Sequence, residues 1–248
     1  MKMKPFLSLG LALAAFAGTG CDDNDNTTDV TLQNTARVLV VHAVPDAPAV
    51  NLVVNNNTIS PAATGLAFGA NTGYLNVNTV PSPTNVKVVV PSLSNATVID
   101  ASVPLQNGTN YTAFATGRAA PTVAIAPIVV TDNLTTPAAG QAHVRFFHLA
   151  PGAPAVDIFA FTDTTAPAAP TFNNRSFETQ ATATANQNFT PVPAGNYTVE
   201  VRVAGTANQV LRVPNVNLVA GKIYTVYAQG IVGGTGNQAL GAGVITHN

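Results

Sequence analysis

The chain has 248 residues, 46% of them hydrophobic and 8% charged, with ten Lys and Arg against eleven Asp and Glu for a formal charge of −1. That length suits two domains of about 100 residues each. A disordered chain needs low hydrophobicity and high net charge, nucleic-acid binding a basic surplus, and a disulfide framework more than one Cys, so this composition excludes all three.

In chain order, Lys2 and Lys4 precede an apolar run from Phe6 to Ala17. That run is too short to span a hydrocarbon core of ~30 Å as a helix. Gly18, Thr19 and Gly20 then lead to Cys21. Residues 1–20 resemble a bacterial lipoprotein signal, with Cys21 as the lipidation site and new N-terminus; Gly18 stands where such signals usually carry Leu. The alternative is plain secretion, with cleavage after Ala15-Phe16-Ala17, which fits the A-x-A rule. The lipoprotein reading is preferred because the single Cys sits where the lipid would go. Residues 21–35 hold Asp22, Asp23, Asp25 and Asp29 among Asn and Thr, and read as a flexible acidic tether. Acidic residues directly after the Cys resemble the export signal of surface lipoproteins in some bacteria, while Asp there favours inner-membrane retention in others. The expected location is the cell envelope, lipid-anchored at the outer membrane or cell surface, with a secreted or periplasmic protein as the alternative.

The remainder is one unit written twice. Residues 36–51 read ARVLVVHAVPDAPAVN and residues 142–157 read AHVRFFHLAPGAPAVD, sharing V-x-x-x-H-x-x-P-x-A-P-A-V-[ND]. Residues 105–117 (LQNGTNYTAFATG) and 218–230 (LVAGKIYTVYAQG) share L-x-x-G-x-x-Y-T-x-x-A-x-G. The first pair lies 106 residues apart and the second 113, which places seven extra residues in the second unit, around Thr162 to Thr171. A tandem duplication is predicted, 36–130 and 141–248, joined by a linker at 131–140. These motifs resemble the DUF4397 family of bacterial secreted and lipid-anchored proteins, often found in tandem. PAGNYTVEVR at 193–202 also resembles the family's middle strand, and PTNVKVVV at 83–90 is its Gly-less counterpart in unit one. The resemblance implies a β-rich fold and no established activity.

Period-2, β-branched runs recur at 37–43, 49–54, 72–77, 85–90, 97–103, 110–116 and 122–130. They recur again at 143–149, 155–161, 181–189, 196–203, 209–216, 222–230 and 239–246. Gly, Pro and Asn punctuate them about every ten residues, which predicts all-β structure: two tandem immunoglobulin-like antiparallel β-sandwich domains. Alternation points Val38, Val40 and His42, with Val144, Phe146 and His148, toward the core. Arg37, Leu39, Val41, His143, Arg145 and Phe147 fall on the opposite face. Val50, Leu52, Val54, Val156, Ile158 and Ala160 are also predicted inward, and Asn51 and Asp157 outward. In the second motif, Tyr111 and Tyr224 resemble the tyrosine corner of such sandwiches, with Gly108 and Gly221 in the tight turn and Leu105 and Leu218 beneath.

Chemistry is sparse. His143 and His148 fall on opposite faces of one strand and cannot share a metal. No nucleophile elbow, zinc-protease helix, P-loop or dinucleotide fingerprint occurs, and Asp46 and Asp157 align with Gly152 and Asn51. We expect no catalytic residue, no metal site and no cofactor. His42 and His148 read as structural: each precedes a loop whose prolines (Pro45 and Pro48, Pro151 and Pro154) remove backbone donors, so each ring can donate to a loop carbonyl. The expected function is a non-catalytic envelope lipoprotein with a structural, adhesive or accessory role. The alternative is a glycan- or peptide-binding surface protein using loop tips. Expected partners are the membrane, through the lipid on Cys21, and an envelope protein or glycan, but no nucleic acid.

Overall fold

Branched side chains suit a pleated, half-buried surface, and in the computed structural model most of the β-branched runs form strands. Residues 34–60, 65–119, 123–162 and 165–248 are described. The first series is β1 (Thr35–Ala43), β2 (Asn51–Val54), β3 (Asn57–Ser60), β4 (Asn71–Asn78), β5 (Thr84–Val90), β6 (Ala96–Val103), β7 (Asn110–Thr116) and β8 (Ala126–Thr131). The second begins with β9 (Gln141–His148), β10 (Val156–Phe161), β11 (Phe172–Arg175) and a short helix, α1 (Gln180–Ala185). It continues with β12 (Thr190–Pro193), β13 (Gly195–Val203), β14 (Gln209–Leu218), β15 (Ile223–Gln229) and β16 (Gly241–Thr246).

Helix α1 replaces the first part of the strand expected at 181–189. Ala-Thr alternation mimics a period of two, but Ala is a strong helix former and the turn is capped. Thr179 Oγ1 accepts from the Thr182 N–H at 3.3 Å, and Thr182 Oγ1 accepts from the Thr179 N–H at 2.8 Å.

The described residues form an all-β fold, with four four-stranded sheets and no barrel among them: β4-β1-β7-β8, β3-β2-β5-β6, β12-β9-β15-β16 and β11-β10-β13-β14. The two series repeat the same strand order. The expectation of purely antiparallel sheets is corrected at one pair in each series. β1 runs parallel to β7, from Arg37 opposite Asn110 to Ala43 opposite Thr116, and β9 runs parallel to β15. Parallel neighbours need a long crossover, and here the chain visits both sheets of its series before returning.

Three apolar layers separate the four sheets. Val38 and Val40 of β1 meet Leu52, Val54, Val88 and Ile99 across the first series. Val144 and Phe146 of β9 meet Val156, Ile158 and Val201 across the second. The inward assignment of these alternate positions therefore holds. A third layer joins the series: Leu39, Val41, Phe114 and Ile128 pack with Phe147, Tyr227 and Ile245. The face carrying Leu39, Val41, Arg145 and Phe147 is thus buried as well, in a seam between the two series. Asn51, expected outward, is also buried, at 5% exposure. Residues Gln33–Asn248 form one compact unit.

Two edge strands are managed in ways their sequences explain. β12 carries Pro191 and Pro193, which a strand tolerates at an edge. The free edge of β8 is covered by glutamine amides from the second series. Gln180 Oε1 accepts from the Val129 N–H at 2.8 Å and its Nε2 donates to the Val129 carbonyl at 2.7 Å, while Gln187 Oε1 accepts from the Thr131 N–H at 3.0 Å.

Candidate functional site

Each histidine of the repeated motif closes its own proline loop. Val44 N–H donates to His42 Nδ1 at 3.2 Å, so that nitrogen carries no proton, and Nε2–H donates to the Pro48 carbonyl at 2.9 Å. The arrangement repeats in the second series, with Ala150 N–H on His148 Nδ1 at 3.3 Å and Nε2–H on the Pro154 carbonyl at 3.1 Å. Pro45 and Pro151 sit second in turns closed by Ala47 N–H to the Val44 carbonyl and Ala153 N–H to the Ala150 carbonyl. Both rings are buried, and burial lowers both pKa values, partly opposed by the proline carbonyls. Both ring nitrogens are used, so neither histidine presents a free base.

Tyr111 Oη accepts from the Gln106 N–H at 3.0 Å, and Tyr224 Oη accepts from the Val219 N–H at 3.1 Å. Each hydroxyl reaches back to the turn before its strand. Gly108 and Gly221 hold φ of 72° and 79° in those turns, a region open to glycine. Their N–H groups donate to the carbonyls of Thr35 and Gln141 at the starts of β1 and β9. Leu105 and Leu218 are buried beneath.

The sequence did not reveal the polar centre of the seam. Arg145 is fully buried, and all five of its N–H donors are used. Nε donates to Thr225 Oγ1 (2.8 Å), Nη1 to the carbonyls of Thr131 and Gln187 (both 3.1 Å), and Nη2 to Thr112 Oγ1 (3.2 Å) and Asp132 Oδ1 (2.5 Å). Its guanidinium lies over the Phe189 ring at 4.3 Å.

The hydrogen bonds close a ring. Thr225 Oγ1, already accepting from Arg145, donates to His247 Nε2 at 2.7 Å. His247 Nδ1–H donates to Tyr74 Oη at 2.8 Å, and Tyr74 donates to Asp132 Oδ2 at 2.6 Å. Asp132 Oδ1 returns to Arg145. This direction of donation requires a neutral His247, and burial holds its pKa down at about 4. Burial and the Asp132 charge push the Tyr74 hydroxyl far above its ordinary value. Every member is held by another, so the ring fastens the two series together and offers no free nucleophile or base.

Some members of this ring occupy corresponding positions beside the repeated motifs. Asp132 follows β8 as His247 follows β16, and Thr112 and Thr225 are the Thr of the shared Y-T pair. Arg145 takes the place of Leu39.

Asp46 and Asp157 act as loop staples. Asp46 Oδ1 accepts from the Ala119 N–H at 2.8 Å. Asp157 Oδ1 and Oδ2 accept from the N–H groups of Asn174 (2.7 Å) and Gly205 (2.8 Å), which lowers its pKa. Among the described residues no cluster of three or more His, Cys, Asp or Glu could hold a metal ion, and no helix is long and apolar enough to cross a membrane. Cys21, the signal at 1–20 and most of the tether lie outside the described residues.

A family model described as a domain of unknown function, DUF4397, matches residues 36–159, half of the chain. The chain belongs to the DUF4397 family. The match runs from Ala36 in β1 to Phe159 in β10, and so takes in the first series and the His148 block of the second. No curated protein is significantly similar to the chain.

Proposed function

We propose that this chain is a non-catalytic cell-envelope lipoprotein, presenting two tandem immunoglobulin-like β-sandwich domains, 36–130 and 141–248, as one packed pair. Its role is structural, adhesive or accessory to an envelope partner. The observation that carries the reading is the seam: a charged ring closed on itself under an apolar layer fits a device for holding two modules in register. The repeated strand order and the two tyrosine hydroxyl contacts support the tandem sandwich reading. Attachment is through lipid on Cys21.

A glycan platform usually needs exposed aromatic rings. This chain has no Trp, and Phe114, Phe146, Phe147, Phe172 and Tyr227 are all buried, which favours a display module over a sugar reader. Labelled palmitate tests anchorage: wild type is expected to incorporate label and Cys21→Ser to lose it, and an unlabelled wild type overturns the lipoprotein reading. A pull-down of the domain pair from envelope extract tests the role. Capture of an envelope protein supports it; turnover of a substrate by the pure chain overturns it.

A further inference from the structure

The space between the paired sheets is not the same in the two series. Between the sheets of the first, Val38, Val40, Leu52, Val54 and Ala113 close around a cavity of about 30 Å³. Between the sheets of the second, the matching Val144, Phe146, Ile158, Ala160 and Val226 border about 220 Å³. An adjoining hollow of about 60 Å³ shares Phe146, Val199 and Val226 and reaches Val210 and Leu240 at the surface. Those two side chains are 42% and 38% exposed.

Three changes open the second slot. Ala160 stands where the first series has Val54. β10 ends at Phe161 and β11 starts at Phe172, whereas only Asn55 and Asn56 separate β2 from β3. Finally, Val129 of β8, opposite Ala113, packs into the first core. Its counterpart Val244 of β16, opposite Val226, is 54% exposed. The edge strand β16 has therefore left the core that β8 fills.

The wall is aliphatic and aromatic, and its polar groups are engaged. Thr171 Oγ1 accepts from the Ala160 N–H at 3.0 Å, and the Tyr197 hydroxyl donates to the Pro193 carbonyl at 2.8 Å. A void of this kind stays dry and takes apolar guests; one of about 150 Å³ takes benzene. We propose that the second sandwich holds a hydrocarbon chain between its sheets, admitted between β14 and β16, with the polar head of the amphiphile left in water beside Val210 and Leu240.

The test uses the full chain as Cys21→Ser, so that no acyl group of its own competes, with dansyl-undecanoate as probe. Saturable binding with blue-shifted emission is expected, displaced equally by dodecanoate and dodecanol, because the chain and not the head is held. Displacement by dodecanoate alone overturns the proposal. Added phosphatidylcholine vesicles separate the sources: competition by vesicles identifies membrane lipid chains, and its absence identifies free ones. Ala160→Leu at the inner end and Ala228→Leu near the mouth each fill the slot, and should weaken binding by about tenfold or more while melting near wild type. Full affinity in both, or no saturable binding in the parent, overturns the proposal. Hydrogen exchange reads the same site without these variants: dodecanoate should slow the amides of β14 and β16, not those of β6 and β8, and slowing in neither pair overturns it.

Discussion

Without Arg145, Asp132 would remain buried with only the hydroxyls of Tyr74 and Thr112 as side-chain donors. Removing one partner of a buried ion pair typically costs about 3–5 kcal/mol, so Arg145→Ala should lower the urea midpoint accordingly. Arg145→Met combined with Asp132→Asn should cost less than the sum of the two single changes, because no unpaired charge is left. The ring also sets a pH limit. His247 has a folded pKa of about 4 against an ordinary 6.5, so as pH falls the unfolded chain takes up the proton first. Its contribution is fully present above about pH 6.5 and is lost on going down to about 4, a fall of roughly 3 kcal/mol. His42 and His148, also lowered, act in the same direction. Urea unfolding across that window should show the decline, and His247→Gln should make it shallower. His42→Ala and His148→Ala should each cost roughly 1–3 kcal/mol through a lost buried bond and a small void, measured the same way. The motif histidines were legible because repetition marked them and the proline loops beside them offered a carbonyl partner, which proves to be that of Pro48 or Pro154. The ring was not: its members are scattered from residue 74 to 247, and no local spacing announces a contact made across two sheets.

At the scale of the element, β1 and β9 bury both faces, and their sequences say so. VLVV and VRFF are near-continuous apolar runs, the pattern of strands covered on both sides. Alternation places Leu39, Val41 and Phe147 opposite the core-directed set, on the face that also carries Arg145, yet these three are apolar and buried. Strand positions were legible because branched residues and turn residues alternate at the strand period. Helix α1 was hidden because its Thr residues mimic that period. β15 and β16 show how the seam divides space between partners. Tyr227 lies opposite Gly243, where the first series sets Phe114 opposite Ile128. A Cβ on Gly243 would fall inside the Tyr227 ring. Gly243→Ala should therefore displace that ring and cost roughly 1–3 kcal/mol, seen as a lower melting temperature and a changed tyrosine fluorescence.

For the whole molecule, the shared layer makes the two series depend on each other. Residues 36–130 alone would present Leu39, Val41, Phe114, Ile128 and Val130 to water, a patch of the kind that drives association. That fragment should self-associate in light scattering, while the full chain stays disperse. The full chain should also unfold in one calorimetric transition, with calorimetric and van't Hoff enthalpies in agreement, and Arg145→Ala should split it into two. The repetition of two motifs is the part of this legible in the sequence, and the two series share one strand order. The repetition did not foretell that they share a core, because a repeated sequence reads the same whether its copies touch or stand apart.

β1 is the first strand after residue 34, and it lies inside its sheet, hydrogen-bonded to β4 on one side and running parallel to β7 on the other. Consider a pull at Asn34 directed along the length of β1. Its ladders to β4 and β7 are then loaded in shear, and many bonds must fail together before the strand slides. A strand peeled from an edge would give way one bond at a time. Resistance to force is an unfolding rate rather than a free energy, so the mechanical strength of this protein follows from where its chain enters the sheet and not from how stable it is at rest.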